Sequence, residues 1–265
     1  MYVHTASGNL HYDVTDETQP WRPDGAPIAF HHGVGACADL WRGWVPALCD
    51  RHRLIRFDMR GHGRSKEAHH GQWSLSGMVA DFAAVIDAVT TDPVHIVGES
   101  VGGTVALAYA LSYPERVRTL TVSNGAHRGG KVQNLESWAA LMGREGMAGW
   151  SRYMMEQRFH PGAISRAAAT WFEQQQASAL PNAVLDAVAV LVDTDLSGRL
   201  AELRMPVLLL HPDASPFIPV SVMATLADGV AGSRLHVFSN SRHGLPFSHA
   251  TPCSQLLREF LASVE

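Results

Sequence analysis

The chain has no basic excess: 21 lysines and arginines face 25 acidic residues over 265 positions, a formal net charge of −4. That balance gives no electrostatic pull toward nucleic acid or an anionic membrane surface. Cysteine is scarce, with only Cys37, Cys49 and Cys253. An odd, scattered set without metal-ligand spacing argues against a disulfide framework and against a cysteine metal site. No run of about 18 apolar residues is present, so no membrane span is expected. The opening MYVHTASGNLHYDV shows neither the basic start nor the apolar stretch of a secretion signal. A reducing cytoplasm is the expected setting, with a small-molecule partner and the oligomeric state, monomer or homodimer, left open.

What is present is a core. The hydrophobic fraction is 46% and the charged fraction 17%, and a chain this long buries roughly three-quarters of its unfolded surface. YVHTASGNLHYDV alternates around a Gly-Asn pair and reads as a hairpin. Pro27–Gly33 and His52–Asp58 read as strands, and Ser74–Val89 carries apolar residues at helical spacing. From Val94 the pattern is strand, tight turn, helix, strand. It resumes with a strand at Met205–His211, a helix near Pro219–Val230, a strand at Ser233–Ser239 and a last helix through Leu261. Between them, 127–195 is rich in Ala, Met, Trp, Glu and Gln and reads as several helices. Alternation of this kind predicts a mostly parallel sheet covered on both faces.

Gly98-Glu99-Ser100-Val101-Gly102 fits the G-x-S-x-G nucleophile elbow, with a strand entering and a helix leaving. The sharp turn holds the Ser100 hydroxyl clear of the sheet, and its flanking glycines allow strand and helix to approach closely. Glu99 is expected to project away from Ser100. The oxyanion of an attacked carbonyl needs two donors: the backbone N–H of Val101, after the nucleophile, and that of Val34 in the HHGVGACADLW loop.

With HHGVG, FDMRGHGRS (Phe57–Ser65), VGESVGGTVAL and SRHG (Ser241–Gly244) in this order, the chain resembles the α/β-hydrolase-fold family along nearly its whole length. Within it, the chain is most similar to 3-oxoadipate enol-lactonases and related small lactonases and esterases, partly through Ser137–Phe159. The resemblance implies an α/β-hydrolase fold: a mostly parallel eight-stranded sheet with helices on both faces. Residues 1–126 and 196–265 would form the core and 127–195 a small helical lid. It implies a serine hydrolase acting through an acyl-enzyme, with no cofactor and no metal.

The base is expected at His243, in the loop after the last strand, rather than at His249. The acid departs from the family pattern, because Ser215 occupies the position where relatives carry an aspartate. Asp213, two residues earlier, is the expected acid. Two alternatives stay open. The acid could lie after the sixth strand, where the chain reads Ser123-Asn124-Gly125 and offers no carboxylate, or an uncharged Ser215 or Asn124 could orient the histidine. Asp58 is expected to fix the loop that follows it. His32, His127, Arg128, Lys131, Trp138 and Trp150 are candidates for the substrate pocket. The other functions weighed are a C–C bond hydrolase of ring-cleavage products, a cofactor-free dioxygenase and a non-catalytic ligand receptor.

Overall fold

The N-terminal hairpin turns at Ala6-Ser7, just ahead of the Gly-Asn pair, where Gly8 takes φ 122 and pairs with Thr5. Its strands, β1 (Tyr2–Thr5) and β2 (Gly8–Thr15), are antiparallel and form one edge of the sheet. The computed structural model describes residues 1–21, 25–68, 70–130 and 135–264. Lys131 lies outside the described residues.

The remaining strands are β3 (Gly25–His31), β4 (His52–Phe57), β5 (Val94–Glu99), β6 (Val117–Ser123), β7 (Val207–Pro212) and β8 (Arg234–Phe238). The eight strands lie in the order β1-β2-β4-β3-β5-β6-β7-β8. From β4 onward every neighbouring pair is parallel, whereas β2 meets β4 antiparallel. The chain leaves β3 toward β4 on one side and continues through β5 on the other. A crevice therefore opens beyond the C-terminal ends of β3 and β5, the place where open α/β sheets bind ligands.

Side-chain alternation divides the core between the two faces of the sheet. Leu209 of β7 and Ile96 of β5 join a cluster with Phe82 and Ile86 of α2 (Leu75–Asp87), Val105 of α3 (Val101–Ser112) and Leu226. Leu208, Leu210 and Val97 point the other way, toward Trp41, Trp44, Leu257 and Phe260. Trp44 sits in a short 3₁₀ segment, and its indole N–H donates to the Pro246 carbonyl at 2.8 Å. With α1 at Val45–Leu48, the later helices are α4 (Leu135–Arg158), α5 (Arg166–Ala177), α6 (Pro181–Val192), α7 (Val220–Gly229), α8 (Leu245–Ser248) and α9 (Ala250–Ala262).

Helices α4, α5 and α6 form an insertion between β6 and β7. Its two ends meet in an antiparallel bridge between Arg128 and Asp195, reinforced by Gly129 N–H to Thr194 O and Leu196 N–H to His127 O. Helix α4 is broken at Gly146, whose φ of 67 is left-handed and suits glycine. The Ser165 hydroxyl caps α5 by accepting from Ala168 N–H. Among the described residues, no helix is long and apolar enough to cross a membrane, and the three cysteines are free.

Candidate active site

Strand β5 ends in the sharp turn that the glycines foretold. Ser100 takes φ 55 and ψ −123, a strained conformation for a residue with a Cβ. The turn closes because two neighbours lack side chains. A Cβ on Gly98 would lie 2.4 Å from the Gly102 carbonyl oxygen, and one on Gly102 would lie 2.4 Å from that of His31. The Ser100 hydroxyl lies 3.1 Å from His243 Nε2. His243 is carried by the loop after β8, and its ring stands edge-on to Phe217 with centroids 4.8 Å apart. Burial, then the nearby Arg158 and His211, push its pKa well below the usual histidine value, so the resting ring is neutral.

Val101 is the first residue of α3, so its N–H has no intrahelical partner. The Val34 N–H, in the loop after β3, has no acceptor among the described residues. Both residues border the same cavity as Ser100 and His243. The loop is fixed from below by His32, which donates from Nδ1 to Gly33 O and accepts from Met59 N–H at Nε2. Burial lowers the His32 pKa to about 4, so this arrangement persists at neutral pH.

The acid is not where the sequence predicted it. The Asp213 carboxylate turns away from His243 and accepts from the backbone N–H groups of Asn240 and Ser241, at 2.9 and 3.0 Å. Its own N–H is held by Phe238 O, so the carboxylate caps the turn after β8. These bonds, that to Ser241 foremost, hold its pKa below the usual carboxylate range. His243 Nδ1 instead meets Asn124 Nδ2 at 2.6 Å and Ser215 Oγ at 3.2 Å. Asn124 reaches the ring from a left-handed position at the end of β6 (φ 51), which asparagine tolerates. Its Nδ2 also donates to the His243 carbonyl. Two proton arrangements arise at Nδ1: accepting from Asn124 Nδ2, or donating to Ser215 Oγ with the Asn124 amide turned so that its Oδ1, which has no partner among the described residues, faces the ring. Only the second leaves Nε2 free to accept the Ser100 proton.

Removing an acid that orients a catalytic histidine costs about 10⁴-fold in kcat, but Asp213→Asn is expected to change kcat by less than about threefold. Steady-state ester hydrolysis by this variant checks the placement.

A family model described as alpha/beta hydrolase fold matches residues 26–148. A pimeloyl-[acyl-carrier protein] methyl ester esterase of Methylococcus capsulatus is 32% identical, covering 90% of this chain and 96% of its own. The chain belongs to the alpha/beta hydrolase fold family. A 2-hydroxymuconate semialdehyde hydrolase of a Pseudomonas species is 30% identical over 90% of this chain and 88% of its own. The solved enol-lactonase of Burkholderia xenovorans superposes with a TM-score of 0.89 over 99% of this chain and all of its own, at 20% identity.

In this α/β-hydrolase a narrow cavity lies before Ser100, with about 350 Å³ of space not filled by protein atoms, part of it open to solvent. Its walls from the insertion are Trp138, Met154, Arg158, Val188 and Leu191, and Phe217 and Ile218 come from the loop after β7. Trp138, one of the candidates from the sequence, borders the cavity. Trp150 is fully buried behind it, with centroids 5.5 Å apart, and packs on Gly35. His32 is taken up by the loop backbone, His127 is buried away from the cavity, and Arg128 is exposed at the base of the insertion. None of these four lines the cavity.

Two charged residues stand beside the site: Arg158, which the sequence did not single out, and Glu99, which was expected to face away. Arg158, 2% exposed at the end of α4, donates to Val34 O at 2.6 Å and to Gln176 Oε1 at 2.7 Å. The insertion therefore holds the loop after β3 directly. Glu99 does not project away: its Oε2 accepts from Gly33 N–H at 2.7 Å, and its Oε1 lies 3.9 Å from His243 Nε2. Strand alternation turns its side chain from Ser100's path, but the side chain folds back under the loop that Gly33 leaves open. Asp58 fixes its loop, accepting from Ala38 and Arg64 N–H. Among the described residues, no group of three or more His, Cys, Asp or Glu is placed to hold a metal.

Proposed function

We propose that the protein is a serine hydrolase that cleaves a small ester or lactone through an acyl-enzyme. The observation that carries this reading is the 3.1 Å approach of Ser100 Oγ to His243 Nε2, in a cavity bordered by Val34 and Val101. With Nδ1–H donated to Ser215, His243 accepts the Ser100 proton as the hydroxyl oxygen attacks the carbonyl carbon. The Val34 and Val101 N–H groups receive the developing oxyanion, and the imidazolium then protonates the leaving group. Water repeats the sequence to release the acid. The helices of 135–192 act as the lid, and their aliphatic and aromatic walls suit a small apolar acyl group.

The uncharged groups behind His243 favour an activated substrate, such as an enol ester or enol lactone, whose leaving group needs little help. Ester cleavage is also what the name of the 32% identical esterase describes. Hydrolysis of a C–C bond is the second reading, favoured by the similarity to the 2-hydroxymuconate semialdehyde hydrolase.

A fluorophosphonate probe is expected to label the protein stoichiometrically at Ser100, located by peptide mass spectrometry, and p-nitrophenyl acetate to give a pre-steady-state burst. Ser100→Ala should show neither. Labelling of Ser100→Ala at the wild-type rate would overturn the nucleophile assignment. Turnover of a ring-cleavage β-diketone in preference to any ester would favour the second reading.

A further inference from the structure

Behind the imidazole, His243 Nδ1 meets only an amide and a hydroxyl. In front of it lies a carboxyl group that the proposed reaction has not used. Glu99 is 1% exposed, and its Oε1 has no hydrogen-bond partner among the described residues. That oxygen lies 3.9 Å from His243 Nε2 and 3.9 Å from Arg158 Nη1. Its other oxygen is anchored by Gly33 N–H, so the carboxyl cannot swing away without releasing the oxyanion loop. A buried carboxylate oxygen that accepts no hydrogen bond is costly and calls for a reason. Here it is held beside the ring that must become cationic.

We infer that Glu99 supplies the counter-charge of the His243 imidazolium, from the Nε2 side, in place of an acid behind Nδ1. The inference rests on the Ser100–His243 reading above. As the bond between Ser100 Oγ and the acyl carbon forms, the hydroxyl proton moves to Nε2 and the carbonyl electron pair becomes the oxyanion. The new positive charge on the ring then stands next to the Glu99 carboxylate until the proton passes to the leaving group. Glu99 does not border the cavity before Ser100. It is a positioning residue that acts through His243 and through the Gly33 backbone.

Charge on Glu99 depends on pH. Burial raises its pKa to about 7, against the opposing pull of Arg158 and the Gly33 N–H. Arg158 of α4 and His243 of the loop after β8 face it directly. Asp58, His32 and His62 lie behind the oxyanion loop, and His211 lies near His243. The three buried histidines are neutral near pH 7, because burial holds His32 and His211 to about 4 and His62 to about 3. With His243 also held well below the ordinary histidine value, a rise in rate near pH 7 is the expected sign of Glu99, which gains its charge as pH increases.

The test is the pH profile of kcat/KM toward p-nitrophenyl acetate for wild type, Glu99→Gln, Asn124→Asp and the double variant. Glutamine keeps the acceptor for Gly33 N–H but not the charge. It is expected to lower kcat about 10–100-fold at pH 8 with little change in KM, and to abolish the limb near pH 7. Asn124→Asp is expected to raise Glu99→Gln by about tenfold or more, a larger factor than the same change gives the wild type. Fluorophosphonate labelling of Ser100 should persist in Glu99→Gln. A Glu99→Gln variant within about twofold of wild type with the limb intact would overturn the inference while leaving the nucleophile assignment standing. So would a gain of about a hundredfold or more from Asn124→Asp alone, since that would mean the ring had no counter-charge; this arm decides even if Glu99→Gln does not fold. An unlabelled Ser100 in the wild type would overturn both readings.

Discussion

Ser100→Ala and His243→Ala are each expected to lower kcat/KM toward an activated ester by at least about a thousandfold, and the double variant to fall no further. The equality follows from the 3.1 Å contact. Attack by the hydroxyl and removal of its proton are one event, so losing either partner removes both contributions. The size follows from what stands behind the ring. In a serine protease, loss of the nucleophile or base costs about 10⁶-fold in kcat, and the acid alone accounts for about 10⁴ of that. With only Asn124 and Ser215 at Nδ1 and no other charge, the serine and histidine would contribute about 10²-fold; Glu99 raises that share. Steady-state rates, with each variant's fold verified by circular dichroism, read the difference. A loss of less than about tenfold in either single variant would sink the assignment.

Arg158→Met is expected to lower stability by about 3–5 kcal/mol, because it leaves Glu99 buried without a cation and strips Val34 O and Gln176 Oε1 of their donor. Methionine fills much of the same volume, so little of the loss comes from a cavity. At roughly 2–4 °C per kcal/mol for chains somewhat smaller than this, the midpoint should fall by about 10 °C. The loss has a pH signature. Glu99 has a folded-state pKa of about 7, above its ordinary 4.5. The stability tied to its neutral form is thus complete below about 4.5 and lost as pH rises through about 7. Removing Arg158 raises that folded pKa further. The gap between variant and wild type in differential scanning calorimetry should therefore be wider at pH 8 than at pH 5. An equal gap at both would mean that Arg158 acts through packing alone.

The parts legible in the sequence are those determined by neighbours along the chain. The elbow at Ser100 needs glycine at 98 and 102 because backbones approach there, and that requirement is local. The strands and helices of the core follow from period and turn chemistry in the same way. The orienter of His243 is different. Asp213 and Ser215 belong to one loop, and the outcome turned on Asp213 N–H pairing with Phe238 O, which points the carboxylate at the turn after β8. Asn124 comes from 119 residues away in sequence. Arg158 and Glu99 were illegible for the same reason. An arginine ending an amphipathic helix reads as a solvated end, and nothing local reveals that Val34 O and Gln176 wait for it. The cavity lining followed no sequence rule beyond apolarity, so Trp138 and Trp150 looked equivalent although only one borders it.

The bridge between Arg128 and Asp195 means that the chain enters and leaves the insertion through a single narrow neck. Gly129 is held there so tightly that a Cβ would lie 1.7 Å from Leu191 O. A clamp of this kind fixes the spacing of the insertion's two ends next to β6 and β7. Leu180 N–H to Gly61 O, Gly244 N–H to Arg158 O and Arg158 to Val34 O tie its helices to loops of the core. Ser100, His243 and Asn124 sit below it, and Trp138, Met154 and Arg158 above it. A graft at 128 and 195 that recruits a new specificity must therefore restore a cation for Glu99 and a donor for Val34 O.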